Sequence, residues 1–304
     1  MRVLIIGCGY VGAELGGALV RNGHDVYGLG RSAGAAAKLT AGITPIQADI
    51  TVPKTLEALS WNWDWVVNCV SSGGGGVEEY RKLYVEGTRN VLRWLADSSP
   101  QKFVYTSSTS VYGQDEGEVV TEHSPTEPLK ETAKLLIEAE RLLLSAVRKT
   151  DFPAVILRLS GIYGPGRGYW FKQFLKREMT VEGHENRILN MIHRDDATGA
   201  IIAALERGEP GEVYNVSDDE PVELNEFYKW LAEQLGRPSE LTASVYHQEK
   251  PASRPPTRDS RRGSTNKRIS NARLKSELGY RFKYPTFREG YAGELQQVRK
   301  SPEK

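Results

Sequence analysis

The chain has 304 residues with 40 basic and 39 acidic side chains, so its net charge is close to zero. That balance argues against a general nucleic-acid surface and leaves room for a phosphorylated ligand. With 39% apolar and 26% charged residues it reads as an ordinary globular protein, and no apolar run approaches the roughly 20 residues that span a bilayer. The first strand starts at the N-terminus, so no signal peptide is expected. Cys8 and Cys69 read as small core fillers in a reducing, cytoplasmic compartment, not as a disulfide. The histidines His24, His123, His184, His193 and His247 show no ligand spacing, so no metal is expected.

Met1–Ile6 (MRVLII) is a short β-branched run and predicts a strand. It feeds into Gly7-Cys8-Gly9-Tyr10-Val11-Gly12, and a helical pattern follows from Ala13 to Asn22. Strand, glycine turn and helix in this order form a dinucleotide-binding unit. Gly7 allows the tight turn, Gly9 lets a pyrophosphate approach the backbone, and Gly12 lets the helix pack close. The helix N-terminus then faces the phosphates. The second strand, His24–Leu29, runs into Gly30-Arg31-Ser32 without the acid that usually holds an NAD ribose. Arg31 offers a fork suited to a 2′-phosphate and Ser32 a hydroxyl, so NADP is preferred. The alternative is a solvated Arg31 in a chain that takes NAD weakly or neither cofactor.

A helix near Ala33–Thr40 and a strand at Ile43–Gln47 follow, closed by Ala48-Asp49-Ile50. Trp65–Val70 is nearly all apolar, as suits a central parallel strand. After Ser71–Gly76 come a helix at Val77–Ala96, a strand at Lys102–Thr106, a helix at Leu129–Lys149 and a strand at Ala154–Leu159. This alternation predicts an α/β fold, a Rossmann-type doubly wound parallel sheet. Beyond Gly161 the rhythm loosens. Helices are expected at Tyr169–Arg177, Arg194–Glu206, Leu224–Leu235 and Asn271–Leu278, with a strand at Glu212–Asn215. Glu249–Lys267 is rich in proline and cations and reads as a surface loop or a cationic lid. The expected domains are residues 1–161, with a returning segment near 191–217, for the dinucleotide. Residues 162–190 and 218–304 form a smaller α/β part for the substrate.

Several segments together resemble the extended short-chain dehydrogenase/reductase family of epimerases, dehydratases and reductases. They are GCGYVG, Ala48-Asp49-Ile50, FVYTSSTSVYG (Phe103–Gly113), LRLSGIYGPG (Leu157–Gly166), MIHRDDA (Met191–Ala197), EVYNV (Glu212–Val216) and KRISNARLKSELGY (Lys267–Tyr280). The resemblance implies cofactor contacts from Gly7, Gly9, Tyr10, Val11, Gly12, Asp49, Ile50, Val70, Ser71 and Ile162, besides Arg31 and Ser32. Ser108 falls on the family's catalytic serine, which orients a substrate oxygen. A strand-end serine capping local backbone is the plainer reading. Ser72, Tyr112 and Tyr163 fall near the substrate.

One family feature is missing. The acid/base pair Tyr-x-x-x-Lys puts both groups on one helix face. Lys134 matches the lysine and so is expected to hold the cofactor ribose, but the tyrosine position is Lys130. Residues 114–162 contain no tyrosine. Replacement by Lys130, by Tyr84, or by a route through Tyr112 or Ser108 stays open, as does a solvated Lys130 without a role. The reading is therefore an NADP-dependent oxidoreductase, epimerase or dehydratase acting on a small polar or nucleotide-linked molecule. The alternative is a dinucleotide-binding sensor or partner-binding module without catalysis. The expected partner is a small-molecule substrate, with neither nucleic acid nor membrane. The resemblance also implies a homodimer through the helices Val77–Ala96 and Leu129–Lys149, although their apolar stripes serve the sheet equally well.

Overall fold

The computed structural model describes residues 1–31, 41–59, 62–177, 187–237 and 265–300. Its strands are β1 (Arg2–Ile6), β2 (Asp25–Gly30), β3 (Ile43–Gln47), β4 (Trp65–Asn68), β5 (Lys102–Ser108), β6 (Val119–Val120), β7 (Ala154–Leu159), β8 (Gly161–Tyr163), β9 (Ile188–Leu189), β10 (Met191–His193), β11 (Val213–Val216), β12 (Val222–Glu223) and β13 (Arg268–Ile269). Seven of them form one parallel sheet in the order β11-β7-β5-β4-β1-β2-β3. This is the Rossmann-type α/β fold that the alternating pattern predicts. β2 and β3 lie to one side of β1 and the later strands to the other, which opens a crevice between the ends of β1 and β4.

The sheet is apolar because helices cover both faces. Leu4, Ile6, Phe103, Tyr105 and Ile156 pack with Leu136, Ile137 and Leu143 of helix Glu131–Thr150 on one face. Val3, Ile5, Val104, Val155 and Leu157 pack with Leu15 and Leu19 of helix Tyr10–Arg21 and with Ala197, Ala200 and Ile201 of helix Arg194–Arg207 on the other. A third core gathers Tyr163, Phe171, Phe174, Phe227, Trp230, Phe287 and Tyr291 beyond the sheet. Three short pairings, β8 with β10, β9 with β12 and β6 with β13, form separate two-stranded ribbons. Their strands are too short to leave a period in the sequence.

Two other departures bear on the site. The helix expected at 77–96 is interrupted, with α-helical Val77–Tyr80 and Gly87–Trp94 flanking a π-helical Arg81–Glu86. The expected helix near Ala33–Thr40, Ser32, and the 249–264 part of the cationic segment lie outside the described residues.

His193 begins helix Arg194–Arg207 by accepting a hydrogen bond from Asp195 N at 3.2 Å through Nδ1. Its ring is 3% exposed and lies 4.1 Å from that of Tyr284. Burial pulls its pKa down to about 4, against the opposing pull of Asp195. A folded value below the unfolded one gives stability that is present above about pH 6.5 and is lost as pH falls toward 4. His193→Asn retains a capping acceptor and removes the titration. Urea unfolding at pH 7 and pH 4.5 should show wild type losing up to roughly 2–3 kcal/mol more than the variant.

Candidate functional site

Gly7 follows β1 in a positive-φ conformation (+93°), and a Cβ there would stand 2.9 Å from the Val70 backbone. At Gly12 a Cβ would stand 2.3 Å from the Gly7 carbonyl oxygen, so the helix start and the turn touch through bare backbone. A Cβ on Gly9 would meet no atom of the described residues within 4 Å. The three glycines therefore divide the work as the motif requires. Helix Tyr10–Arg21 starts at Gly9 without a side-chain cap and without an acid in its first turn. Its N–H groups and positive end meet a cavity of about 1010 Å³ that runs along the carboxyl edge of the sheet.

Gly7, Gly9, Tyr10, Val11, Arg31, Asp49, Ile50, Val70, Ser71 and Ile162 all line this cavity. Gly12 lies just behind it in the packing described above. Asp49 Oδ1 accepts from the Thr51 N–H at 2.9 Å and hydroxyl at 2.8 Å, which fixes the acidic corner. Arg31 lies at the end of β2, largely exposed, 3.7 Å from Glu79. Tyr10 closes the other side. Its hydroxyl donates to the Pro165 carbonyl at 3.1 Å, and the guanidiniums of Arg167 and Arg194 stand 5.0 and 5.3 Å from its ring. Pinning the 164–167 turn over the glycine turn in this way brings Arg167 into the cavity wall.

The same wall continues past Ser108, Lys130, Tyr84 and Tyr163. Ser108 ends β5, and its Oγ accepts from Ser110 N at 3.1 Å, so it caps a short turn while facing the cavity. Tyr84 sits on the π-helical stretch with its ring 4.9 Å from Tyr80, which also lines the wall. Its hydroxyl accepts from Ser72 N at 3.3 Å, and burial raises its pKa. Tyr163 stacks on Tyr291 at 4.5 Å, and its hydroxyl, also raised by burial, donates to the Thr286 carbonyl at 3.4 Å.

Three expected positions are corrected. Lys134 does not reach the cavity: its Nζ pairs with Glu131 at 2.7 Å, half exposed. The helix begins at Glu131 with Lys130 as its N-cap, and Leu136 is the residue that faces the cavity. Lys134 and Leu136 are two positions apart, about 200° around the helix, and of the two lysines only Lys130, which stands before the helix as its extended N-cap, joins Ser108 on the wall. Tyr112 is fully buried behind the wall and is not open to a substrate. Its hydroxyl donates to Asn215 Oδ1 at 2.7 Å and accepts from Arg158 at 2.8 Å. Ser72 lies off the cavity, and its backbone N–H serves Tyr84.

Behind the wall Arg158 and Glu140 form a buried pair, Nη2 to Oε2 2.7 Å and Nε to Oε1 3.2 Å, with Ser107 donating to Oε1 at 2.5 Å. This chain of bonds fixes the end of β5 and hence Ser108. Sequence reading missed the pair, although an arginine inside an all-apolar strand demands a partner. It also left unassigned four cations of the wall, Arg167, Lys172, Arg187 and Lys267. Asp49, at the far corner, is the one acid among the described wall residues.

A family model described as NAD dependent epimerase/dehydratase family matches residues 3–217, and the chain belongs to that family. Over 294 residues the chain is 26% identical to Protein YeeZ of Escherichia coli, covering 93% of this chain and 96% of that protein. A 4-hydroxy-2-methyl-3-oxo-4-farnesyl-3,4-dihydroquinoline-1-oxide ketoreductase of Stigmatella aurantiaca is 29% identical over 79% of this chain and 75% of its own. A solved structure from Methylobacillus flagellatus with the epimerase/dehydratase description superposes with a TM-score of 0.76 at 34% identity, covering 98% of each chain. Its fold and its family are those of the short-chain dehydrogenase/reductase class. No helix of the described residues is long and apolar enough to cross a membrane.

Proposed function

We propose that the chain catalyses net hydride transfer between NADP(H) and a small polar substrate, as a reductase working on a carbonyl or, in reverse, on an alcohol. The observation that carries this reading is one continuous cavity. It starts at the bare glycine turn, where a Cβ on Gly9 would meet none of the described residues, and continues to Ser108. When bound, the dinucleotide supplies or takes up the hydride. Gly7, Gly9 and the helix N-terminus would hold its pyrophosphate, Asp49 and Ile50 its adenine end, and Ile162 its nicotinamide end. Ser108 would orient the substrate oxygen. Lys130, Arg167, Lys172, Arg187 and Lys267 give the substrate end a positive field that favours a substrate with an anionic group, which includes a nucleotide-linked one. A cytoplasmic location accords with this reading.

NADP over NAD rests on Arg31 at the end of β2, with no acid following in the sequence. Arg31→Ala should weaken NADPH by about 1.5 kcal/mol, roughly tenfold, and NADH much less. Calorimetric titrations that show equal losses for both would mean that Arg31 does not read the 2′-phosphate. A second reading, a dinucleotide-binding sensor without turnover, is favoured by the outward Lys134 and the missing tyrosine. Consumption of NADPH in the presence of aldehydes, ketones or quinones separates the two.

A further inference from the structure

Lys267 is the first residue of KRISN and lies far in sequence from every other residue assigned to the site. Its backbone is clamped on two sides. Its carbonyl accepts from Asn190 Nδ2 at 2.8 Å, and the Asn190 Oδ1 in turn accepts from Ile269 N at 2.8 Å. Asn266 donates its N–H to the Gln114 carbonyl at 3.1 Å and accepts from Gly117 N at 2.9 Å. β13 then pairs with β6. This framework holds a lysine that is only 5% exposed on the wall of the cavity. Its Nζ donates to the Tyr112 carbonyl at 2.8 Å, using one of the three donors of an ammonium. Tyr112 ends the turn Thr109–Val111 that Ser108 caps, so the amine and the Ser108 hydroxyl belong to opposite ends of one short turn.

We propose that Lys267 is the proton-transferring group of the cavity, acting on the substrate oxygen that Ser108 orients. The proposal rests on the hydride-transfer reading above. In the reducing direction the C=O π bond breaks as the carbon takes up the hydride. The Lys267 ammonium gives its proton to the oxygen, becomes a neutral amine and is reprotonated from water. Alcohol oxidation runs the same exchange backwards. The group is suited to this. Burial first, then the cations of Arg187 and Lys130, opposed by Glu118, bring its pKa down to about 8, the range in which a lysine serves as acid and base near neutrality. The wall's Tyr10, Tyr84, Tyr163 and Tyr291 are driven the other way by burial. Lys134, the family's partner in proton transfer, is outside.

The first test needs no turnover. Trace acetylation of the full chain with acetic anhydride across pH 6–11, read by mass spectrometry on the Lys267 peptide, should titrate near pH 8, well below the roughly 10.4 of an unperturbed lysine. Titration at that ordinary value overturns the proposal. The second uses Lys267→Arg and Lys267→Gln with NADPH and the carbonyl set. Arginine keeps the cation and the reach to the Tyr112 carbonyl but releases no proton. Both variants should lose about 10²- to 10⁴-fold in kcat, with NADPH affinity within twofold and the pH dependence near 8 abolished. Turnover restored by arginine would make Lys267 an anchor and defeat only the proton role. A wild-type chain that binds NADPH but consumes it with none of the carbonyls defeats the hydride-transfer reading, and this proposal falls with it.

Discussion

Replacing Glu140 by alanine should remove about 3–5 kcal/mol of folding stability, the cost of stranding a buried charge. Glu140 and Arg158 are 2% and 6% exposed, so water cannot take over the lost partner. Arg158 would keep only its bond to the Tyr112 hydroxyl, and Ser107 would lose its acceptor. Against a total of about 5–15 kcal/mol this is severe. The double variant Glu140→Met with Arg158→Met should recover a large part of the loss, because it removes both charges and fills the volume. Urea unfolding gives the numbers. A single-variant loss under about 1 kcal/mol would mean that the pair is solvated in solution and does not anchor β5.

Gly9→Ala should abolish tight dinucleotide binding and leave the fold intact. No atom of the described residues lies within 4 Å of the added methyl group, so stability should change by no more than about 0.5 kcal/mol. A pyrophosphate packed against the turn would meet that methyl directly. Overpacking of about 1–3 kcal/mol corresponds to a roughly 10- to 100-fold weaker Kd. Gly12→Ala makes the contrast. Its methyl would press on the Gly7 carbonyl at 2.3 Å, so this variant should lose both binding and stability. NADPH fluorescence titrations beside thermal unfolding separate the two effects. Unchanged NADPH affinity in Gly9→Ala would place the dinucleotide away from the glycine turn.

The parts of the fold that bury long apolar runs were legible in the sequence. β1, β4 and β7 are hydrophobic on both faces, and the glycine spacing after β1 has a separate steric reason at each position. The two-residue strands were not legible, because pairs such as Val119–Val120 with Arg268–Ile269 carry no period and depend on contacts about 150 residues apart. The glycine-turn end of the cavity wall was legible nearly residue by residue, since it follows the chain locally. The substrate end was not. Lys134 was expected inward because spacing gives relative but not absolute rotation, and the observed start at Glu131 with Leu136 on the wall turns it outward. Tyr112 was placed at the substrate because the family resemblance sets the turn after β5 there, whereas Arg158 and Asn215 draw its hydroxyl into the core. Arg187 and Lys267 reach the cavity only through the tertiary fold; Lys267 opens the KRISN segment, but nothing local sets its side chain on the wall.

The most direct measurement is transfer of label. NADPH carrying deuterium at the reactive carbon of the nicotinamide, incubated with the wild-type chain and a set of aldehydes, ketones and quinones, should yield an alcohol or hydroquinone product and a matching amount of NADP⁺. For aldehydes and ketones the deuterium should appear on the former carbonyl carbon, as mass spectrometry reads it. Gly9→Ala should suppress that transfer. Saturable NADPH binding with no consumption and no labelled product across the set would contradict hydride transfer and leave a dinucleotide-binding sensor as the account of this cavity.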